Sequence, residues 1–298
     1  MSVFQTSRFR ALIIVVLCGV LVLVSGCSAL RLGYGTAPEI VYWWLDGYVD
    51  FDHAQSLKAR DAVARWFAWH RRTQLPDYAA LLARARTEVL ADTTAARVCE
   101  WQADILARAR TALDQAVPDT ADLVLTVTPQ QIRHIEHHYA KKNDEFRDDY
   151  VQPDLRKRAQ KALERTIDRA EMLYGPLDDA QRARIAQALT RSPFDPERWL
   201  AERQQRQQEA LQMLRRLSAE GASPDQAQAA LRVYVEHLLR SPREAYRRYA
   251  ARLDDFNCAF AAELHNSTSA AQRRTAAGKL AGWEGDLRAL AASAAPAS

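Results

Sequence analysis

Histidines offer the first candidate chemistry in this sequence. His134, His137 and His138 form its only histidine cluster, and Glu136 lies among them. His134 and His138 are one helical turn apart, so both imidazoles could face one metal ion. The order is not H-E-x-x-H, however, and no nearby cysteine or carboxylate motif supplies a third ligand. We therefore interpret the cluster as a partly exposed helix face, expect no metal, and keep His134 and His138 as weak metal candidates.

Signatures of catalysis are not recognisable elsewhere in the chain. We find no glycine-rich phosphate loop, no nucleophile elbow and no paired-carboxylate motif. Serine, histidine and aspartate are present, but unconnected residues do not define a triad. The sequence therefore predicts a protein that is not an enzyme and needs no cofactor.

An aromatic and basic corner spans residues 42–78 and favours binding over catalysis. It combines the segment YWWLDGY at 42–48 with the segment WFAWHRR at 66–72. Trp, Tyr and Arg are enriched at interfaces, so the corner could bind a partner, a lipid headgroup or a glycan. The alternative is that these aromatic side chains pack the N-terminal helices together. A second segment, 140–150, is interpreted first as a charged helix face and second as a binding face. The candidate binding residues are Trp66, Trp69, His70, Arg71, Asn143 and Arg147.

Cys27 offers a different chemistry, which is acylation. Arg8 and Arg10 precede an apolar run of about 14 residues, the length of a signal peptide. The sequence Val24-Ser25-Gly26-Cys27 then resembles the lipobox of bacterial lipoproteins, which are cut before the cysteine. The resemblance implies a diacylglycerol on the thiol and a further acyl chain, such as palmitate, on the amine. Two or more chains anchor a protein stably. Ser28 in place of Asp implies export to the outer membrane, facing the periplasm.

An uncleaved transmembrane anchor is the alternative to the lipobox. Residues 11–30 carry no charge over about 20 residues, which is just enough to span a bilayer. Arg10 and Arg31 flank this stretch and leave the positive-inside rule weakly decisive. The small residues before Cys27 favour the lipoprotein. Both interpretations place the rest of the chain in the periplasm.

The remaining cysteines predict a disulfide. Cleavage would remove Cys18 and acylation would occupy Cys27, which leaves Cys99 and Cys258. Two thiols in an oxidising compartment allow one intramolecular pairing. We predict a Cys99–Cys258 disulfide, with two separately buried thiols as the alternative.

Composition is that of an ordinary folded protein, with 48% hydrophobic and 26% charged residues. The formal net charge of +4 falls to +2 when Arg8 and Arg10 leave with the signal peptide. This charge is too small and too mixed in sign to predict nucleic-acid binding. The expected partners are therefore the membrane, through the lipid, and a protein partner or client; the oligomeric state stays open.

Apolar residues recur at helical spacing through the mature chain, and β-branched runs are absent after residue 26. The predicted fold is all-α, a multi-helix bundle.

The starts of several helices are marked by capping signals. Thr128, Ser223 and Ser241 are each followed by a proline and have Gln or Glu three residues later, as in a capping box. Asp178 and Ser269 begin looser versions. The glutamines between 204 and 208 predict a solvated stretch in the middle of a long helix. The predicted helices lie near 53–72, 77–91, 94–116, 129–150, 154–174, 178–191, 196–219, 224–240, 242–264 and 269–290.

The domain organisation follows from these signals. We expect a signal peptide over 1–26, a lipidated tether over 27–40 and a helical periplasmic domain over 41–290. A sub-boundary is possible near 119–128, and a disordered tail is expected over 291–298.

Two resemblances bear on function. Residues 42–52, 69–78, 142–150, 169–181 and 192–204 resemble a family of bacterial lipoproteins catalogued only as a domain of unknown function. That resemblance implies an envelope lipoprotein and supplies no catalytic residues. More weakly, residues 127–131 and 177–181 resemble the L-T-x-x-Q repeats of small periplasmic stress chaperones of the Spy type. The departures are Val127 for the first leucine and Asp178 for the second threonine.

Together these features predict a lipid-anchored periplasmic protein that binds polypeptide clients or envelope partners without chemistry, in the manner of a chaperone. A structural or assembly adaptor of the envelope, docking through residues 42–78, is the second hypothesis. A metal-dependent hydrolase that uses His134 and His138 is the third.

Overall fold

A computed structural model describes residues 29–293, and these form ten helices and no strand. The all-α prediction is confirmed. The signal peptide, Cys18 and Cys27 lie outside the described residues. Between residues 29 and 293, no helix is both long and apolar enough to cross a membrane. The helices are α1 (Ala29–Val49), α2 (His53–Glu88), α3 (Ala95–Val124), α4 (Pro129–Tyr150), α5 (Leu155–Tyr174), α6 (Asp179–Thr190), α7 (Pro196–Ala219), α8 (Pro224–Leu239), α9 (Glu244–Asn266) and α10 (Ala270–Ala292).

The helices pack as a multi-helix bundle. Helix α2 contacts α10, α1 and α3, and α3 contacts α8 and α9. Helix α4 packs against both α1 and α7. Helix α5 packs against α6 and α10. One apolar cluster joins α3, α7 and α8 around Val117, Leu217 and Leu231. A second, with Ile135 and Leu214, joins α4 to α7, and a third joins α5, α6 and α9 around Ile185.

Most predicted helix starts are present. The capping boxes that begin at Thr128, Asp178, Ser223 and Ser269 all form: each N-cap side chain accepts from the backbone N–H of the glutamine, whose side chain accepts from the backbone N–H of the N-cap. The prediction at Ser241 is wrong, because the cap of α9 is Arg243, which makes no side-chain cap bond. Ser241 Oγ instead accepts from the Arg243 N–H at 3.1 Å, so the serine shapes the turn before α9.

An additional capping box begins α2 and pairs with the box of α4. Asp52 caps α2 and Gln55 closes the box. The buried amides of Gln55 and Gln131 then bond to each other, with Nε2–Oε1 distances of 2.5 and 3.1 Å. Gln131 Nε2 also donates to the Asp50 carbonyl at 2.9 Å, and Gln55 Nε2 donates to the Thr126 carbonyl at 2.9 Å. Each glutamine therefore ties its own helix start to the turn that precedes the other.

The same arrangement recurs between α6 and α10. Gln181 and Gln272 exchange amide hydrogen bonds of 2.8 and 2.9 Å. Gln181 Nε2 donates to the Ser267 carbonyl and Gln272 Nε2 to the Pro176 carbonyl, at 3.0 and 2.9 Å. In all four cases the carbonyl lies two residues before the partner's N-cap. The two pairs are thus equivalent joints in different parts of the bundle.

Two predicted helix breaks are wrong. Helix α2 is continuous through Pro76, and α3 continues through Pro118 to Val124, across part of the sub-boundary expected near 119–128. An internal proline costs about 3 kcal/mol. Leu75 and Ala79 are buried on either side of Pro76, and Val117 and Ala121 flank Pro118 in the same way. Burial on both sides of each proline outweighs the lost hydrogen bond.

The expected tether is folded over its described part. Residues 29–40 are helical and belong to α1, contrary to the prediction of a tether over 27–40. Arg31 forms an ion pair of 3.1 Å with Asp286 of α10, and Tyr34 packs edge-on against Phe67 of α2. These contacts attach α1 to the bundle from its first turns. At the other end α10 runs to Ala292, so the predicted tail at 291–298 begins helical, and residues 294–298 lie outside the described range.

The predicted pairing of Cys99 with Cys258 is present. The two cysteines form a disulfide with a Cα–Cα distance of 5.5 Å, joining α3 to α9. Cys258 is fully buried. Because the bond closes a loop of 159 residues, chain entropy alone predicts a stabilisation of about 5 kcal/mol as an upper value.

We predict that the paired glutamines stabilise the fold more than an ordinary cap does. Gln131→Ala removes both amide hydrogen bonds to Gln55 and the donor to the Asp50 carbonyl, so the free energy of unfolding should fall by about 3 kcal/mol. Gln226→Ala is the matched control, because Gln226 closes the capping box of α8 but is exposed. Its expected cost is about 1 kcal/mol. Urea unfolding measures both, and equal losses would contradict a special role for the pair.

We predict that the disulfide stabilises the folded domain. The variant Cys99→Ala/Cys258→Ala should lose about 2–5 kcal/mol of unfolding free energy, since its unfolded chain is no longer constrained. Thermal unfolding of the oxidised protein and of the double variant measures the loss. Reductant should lower the melting temperature of the wild type and leave the double variant unchanged, and an equal response of both would count against the disulfide.

Candidate functional site

A pocket of about 460 Å³ opens between α1, α4, α7, α8 and α9. Helix α7 contributes the most lining residues, and α1 contributes the next largest number. The lining is mainly aromatic and aliphatic, with charged groups from α7. Its residues are Trp44, Leu45, Tyr48, Val49, Ile135, Tyr139, Trp199, Glu202, Arg203, Arg206, Gln207, Leu214, Tyr234, Leu238 and Tyr246.

Aromatic rings form a continuous wall on the side of α1 and α4. The rings of Trp44 and Tyr48 are 4.8 Å apart, and Tyr48 lies 5.9 Å from Tyr139. Burial raises the pKa of Tyr139 and of Tyr234 above the usual tyrosine value. Both phenols therefore stay neutral at physiological pH, and this wall presents an uncharged surface.

The other end of the pocket holds an ionic network around Glu202, whose side chain is only 4% exposed. Arg243, the N-cap residue of α9, donates two hydrogen bonds to it, Nε–Oε2 at 2.6 Å and Nη2–Oε1 at 2.7 Å. Arg206 adds a third bond at 3.0 Å. Arg243 Nη1 also reaches Glu209 at 2.5 Å, and Glu209 lies 3.3 Å from His237 of α8. The network thus joins α7, α8 and α9 behind the pocket.

Electrostatics keep this network charged. Burial by itself raises the pKa of Glu202, but hydrogen bonds from Arg243, Ser241 and Arg206 outweigh it and leave the pKa below its usual value. The hydrogen bonds that Arg243 donates to Glu202 raise the pKa of Arg243. The carboxylate is therefore ionised at neutral pH and fully engaged, which suits it to fixing the pocket's shape and not to proton transfer.

Arg203 and Gln207 are the polar groups beside the apolar wall. The Arg203 guanidinium lies 5.7 Å from the ring of Trp199. Gln207 bonds reciprocally with Asn143 of α4, at 2.8 and 3.1 Å. A ligand in the pocket would meet aromatic surface, aliphatic surface and a small number of hydrogen-bonding groups, as in a typical binding site.

Asn143 and Arg147 do not form a joint binding surface. Asn143 is buried and links α4 to α7 next to the pocket. Arg147 is paired with Asp144 one turn away on the helix surface. Of this predicted pair, only Asn143 supports the site, and it does so by positioning Gln207.

The aromatic–basic corner is mostly a packing unit. Trp66 donates from Nε1 to the Ala112 carbonyl of α3 at 3.0 Å, and His70 stacks on Trp66 at 4.7 Å. His70 Nδ1 also lies 2.8 Å from the hydroxyl of Tyr34, and burial lowers the His70 pKa. These contacts join α1, α2 and α3, in keeping with the packing alternative. Trp69 is half-buried beside His70. Arg71 lies 5.2 Å from the Tyr34 ring.

The two candidate metal ligands contact other groups. His134 Nε2 lies 3.2 Å from the Gly47 carbonyl, and the His138 ring lies 4.0 Å from that of Tyr48. Burial and the charge of Lys142 lower the His138 pKa. Within residues 29–293 no group of three or more His, Cys, Asp or Glu side chains is placed to hold a metal ion.

Sequence reasoning missed most of the pocket. It included Trp44 and Tyr48 in the corner but did not identify Glu202, Arg243 or Tyr234. The expectation of a solvated stretch in α7 is wrong for the inward side, since Glu202 is buried and Gln207 is bonded to Asn143. The available signal was the i, i+4, i+7 spacing of Glu202, Arg206 and Glu209, which puts all three on one helix face.

We predict that Glu202→Gln lowers the free energy of unfolding by about 2 kcal/mol at pH 7, because Arg243 and Arg206 lose a charged acceptor. The folded-state pKa of Glu202 lies below its unfolded value of about 4.3. Its ionisation therefore stabilises the fold above about pH 4.3, and this contribution is lost as the pH falls through the folded pKa. The difference between wild type and variant should shrink on acidification.

Urea unfolding at neutral and acidic pH tests this dependence. Glu244→Gln is the control, since Glu244 pairs only with Arg248 on an exposed helix surface and should leave stability nearly unchanged. A Glu202→Gln effect that is the same at both pH values would contradict the assigned role of the ionised carboxylate.

The chain matches the model of a known protein family. Residues 47–237 match the model of DUF6279, described as a family of unknown function. No curated protein and no solved structure matches the chain. The matched range runs from the end of α1 into α8 and contains Tyr139, Glu202 and Tyr234 of the pocket. The expected membership of an uncharacterised family is confirmed, and because the match covers more than half of its length, the chain belongs to the DUF6279 family of unknown function.

Proposed function

We propose that this protein is a non-catalytic binding protein of the cell envelope, anchored by lipid on Cys27 at the outer membrane and facing the periplasm. It holds an apolar segment of a polypeptide client or envelope partner in the pocket between α1, α4 and α7. The observation that carries this proposal is the aromatic pocket itself, in which Glu202 and Arg206 are engaged in an internal network and Arg203 lies beside the aromatic wall.

A polypeptide segment fits the chemistry of the pocket. Its volume of about 460 Å³ lies within the usual range of ligand sites, and it can take a few apolar side chains. Trp44 is 59% exposed, so its ring can pack over a bound side chain. Arg203 and Gln207 can hydrogen-bond to a client's backbone carbonyls. Aromatic residues together with Arg are also the types enriched where proteins bind each other.

Binding without catalysis is supported by the state of the ionisable groups. Glu202 accepts three bonds and Arg243 joins two carboxylates, so neither is free to transfer a proton. His237, the nearest imidazole of the network, lies against Glu209. The pocket therefore offers shape and apolar contact, which are the requirements of a binding site.

The proposed location in the envelope rests on the N-terminal sequence, and the disulfide is consistent with it. The lipobox at residues 24–27 supplies the anchor, and the apolar run before it supplies the export signal. Disulfides persist in oxidising compartments such as the periplasm, and the pairing of Cys99 with Cys258 suits that location. Kinship with Spy-type chaperones stays a prediction. Binding of unfolded clients would be consistent with it.

The other two hypotheses have less support. An adaptor that docks through residues 42–78 would have only part of this segment available, because Trp43 and Trp44 are exposed but Trp66 and His70 make internal contacts. A hydrolase that uses His134 and His138 would need a further ligand for its metal. We therefore place the binding activity in the pocket.

The test is binding of an unfolded client. The probe is fluorescently labelled lactalbumin, reduced and carboxymethylated so that it cannot refold, titrated with the acylated full-length protein in vesicles. Anisotropy should rise, and Trp44→Ala should weaken binding by about tenfold, as expected for an aromatic hot spot. Native lactalbumin should bind poorly, because its apolar segments are buried.

Trp43→Ala is the matched control. Trp43 is the adjacent residue and is equally exposed, at 60%, but it does not line the pocket. Its variant should bind the unfolded probe as the wild type does. Absence of binding, or equal weakening by the two variants, would refute the proposed site.

A further inference from the structure

Helix α1 presents an apolar face that no other part of the described chain covers. Leu32, Ile40 and Trp43 are 70%, 61% and 60% exposed. Their spacing of eight and three residues places them on one side of the helix, with exposed Thr36 and Gly47 on the same side. Tyr34 and Tyr42 lie on the opposite side and pack into the bundle.

The charged residues of α1 all have partners. Arg31 pairs with Asp286, and Glu39, whose side chain is exposed at the edge of this face, pairs with Arg60 of α2 at 2.6 Å. Asp46 accepts from the Phe51 N–H at 3.0 Å. The face itself therefore consists of apolar side chains, one hydroxyl and glycine, with the neutralised Glu39–Arg60 pair at its edge, and it suits an apolar occupant that has a polar boundary.

The position of α1 in the chain identifies that occupant. The helix begins at Ala29, two residues after Cys27, and two extended residues span at most about 7 Å. Acyl chains on Cys27 would hold the first turn at the bilayer surface. Helix α1 has 21 residues and is about 30 Å long, so it can lie along the surface.

We propose that the exposed face of α1, formed by Leu32, Ile40 and Trp43, lies on the membrane at the boundary of headgroups and acyl chains. This inference rests on the acylation of Cys27 in the proposed function. The indole of Trp43 is of the type that favours this boundary, with an apolar body and a polar N–H. Helices of this kind bury their apolar side by about 5–10 Å.

A second copy of the chain is a poorer occupant. Three partly exposed side chains offer roughly 400 Å², whereas a stable interface buries about 800 Å² on each partner. The bilayer, in contrast, is within reach of the helix in every acylated molecule. Membrane contact along α1 would also hold the pocket close to the surface, because Trp44 at its mouth follows Trp43 directly.

The test measures fluorescence quenching by lipid at a single position of α1. Ile40→Cys is labelled with an environment-sensitive fluorophore in the acylated full-length protein, whose other cysteines are acylated or paired. Vesicles of phosphatidylethanolamine and phosphatidylglycerol carry brominated acyl chains as quenchers. The label at position 40 should lose emission in these vesicles compared with unbrominated ones. Val233→Cys is the control, since Val233 is a similarly exposed apolar residue on α8 and should not be quenched.

Measurements on one preparation distinguish a failure of this inference from a failure of the proposed function. Mass spectrometry first establishes the acyl chains on Cys27, and the same preparation is tested for binding of unfolded lactalbumin. An acylated, client-binding protein without quenching at position 40 would overturn the membrane contact alone. Position 40 crosslinking between two copies, with no quenching, would assign the face to a second molecule. A chain without acyl groups would overturn both the anchor and the contact that depends on it.

Discussion

Reciprocal bonding between capping glutamines is the interaction on which the arrangement of the helices depends. A glutamine that closes its own capping box uses its oxygen for the N-cap amide and still has two donors. In the Gln55–Gln131 and Gln181–Gln272 pairs, these donors satisfy the partner amide and a carbonyl two residues before the partner's cap. A buried amide is costly unless it is satisfied, so each pair fixes two helix starts relative to each other.

The pocket lies next to one of these joints. Gln131 donates to the carbonyl of Asp50, which has a φ of 57° and forms the turn between α1 and α2. Left-handed backbone is uncommon for residues other than glycine, although aspartate tolerates it better than most. The bond from Gln131 holds this turn, and the turn sets how the end of α1 approaches α4. Tyr48 and Tyr139 meet as a consequence, so the aromatic wall depends on the glutamine pair.

Local features of the sequence were predictable and their tertiary partners were not. The boxes at Thr128, Asp178 and Ser269 follow from four adjacent residues, whereas the pairing of Gln131 with Gln55 joins positions 76 residues apart. Pro76 and Pro118 predicted helix breaks because the hydrogen bond that a proline removes is visible in the local sequence. The burial that offsets this loss comes from contacts with other helices and is not visible there. Glu202 was missed for the same reason, since its partner Arg243 is on α9. The Cys99–Cys258 pairing was predicted because the lipobox interpretation sets Cys18 and Cys27 aside and leaves a single combination.

The charge distribution explains why a pocket with several ionisable groups is suited to binding. Arg243 and Arg206 neutralise the carboxylates of Glu202 and Glu209, and the rest of the lining consists of phenols, indoles and aliphatic side chains, with Arg203 and Gln207 as the remaining polar groups. Buried ion pairs contribute little net stability compared with apolar packing, but they accept few alternative arrangements. The network between α7, α8 and α9 therefore serves to hold three helices at a fixed separation. An open apolar cavity needs such a support, since without it the surrounding helices would close to bury the same surface.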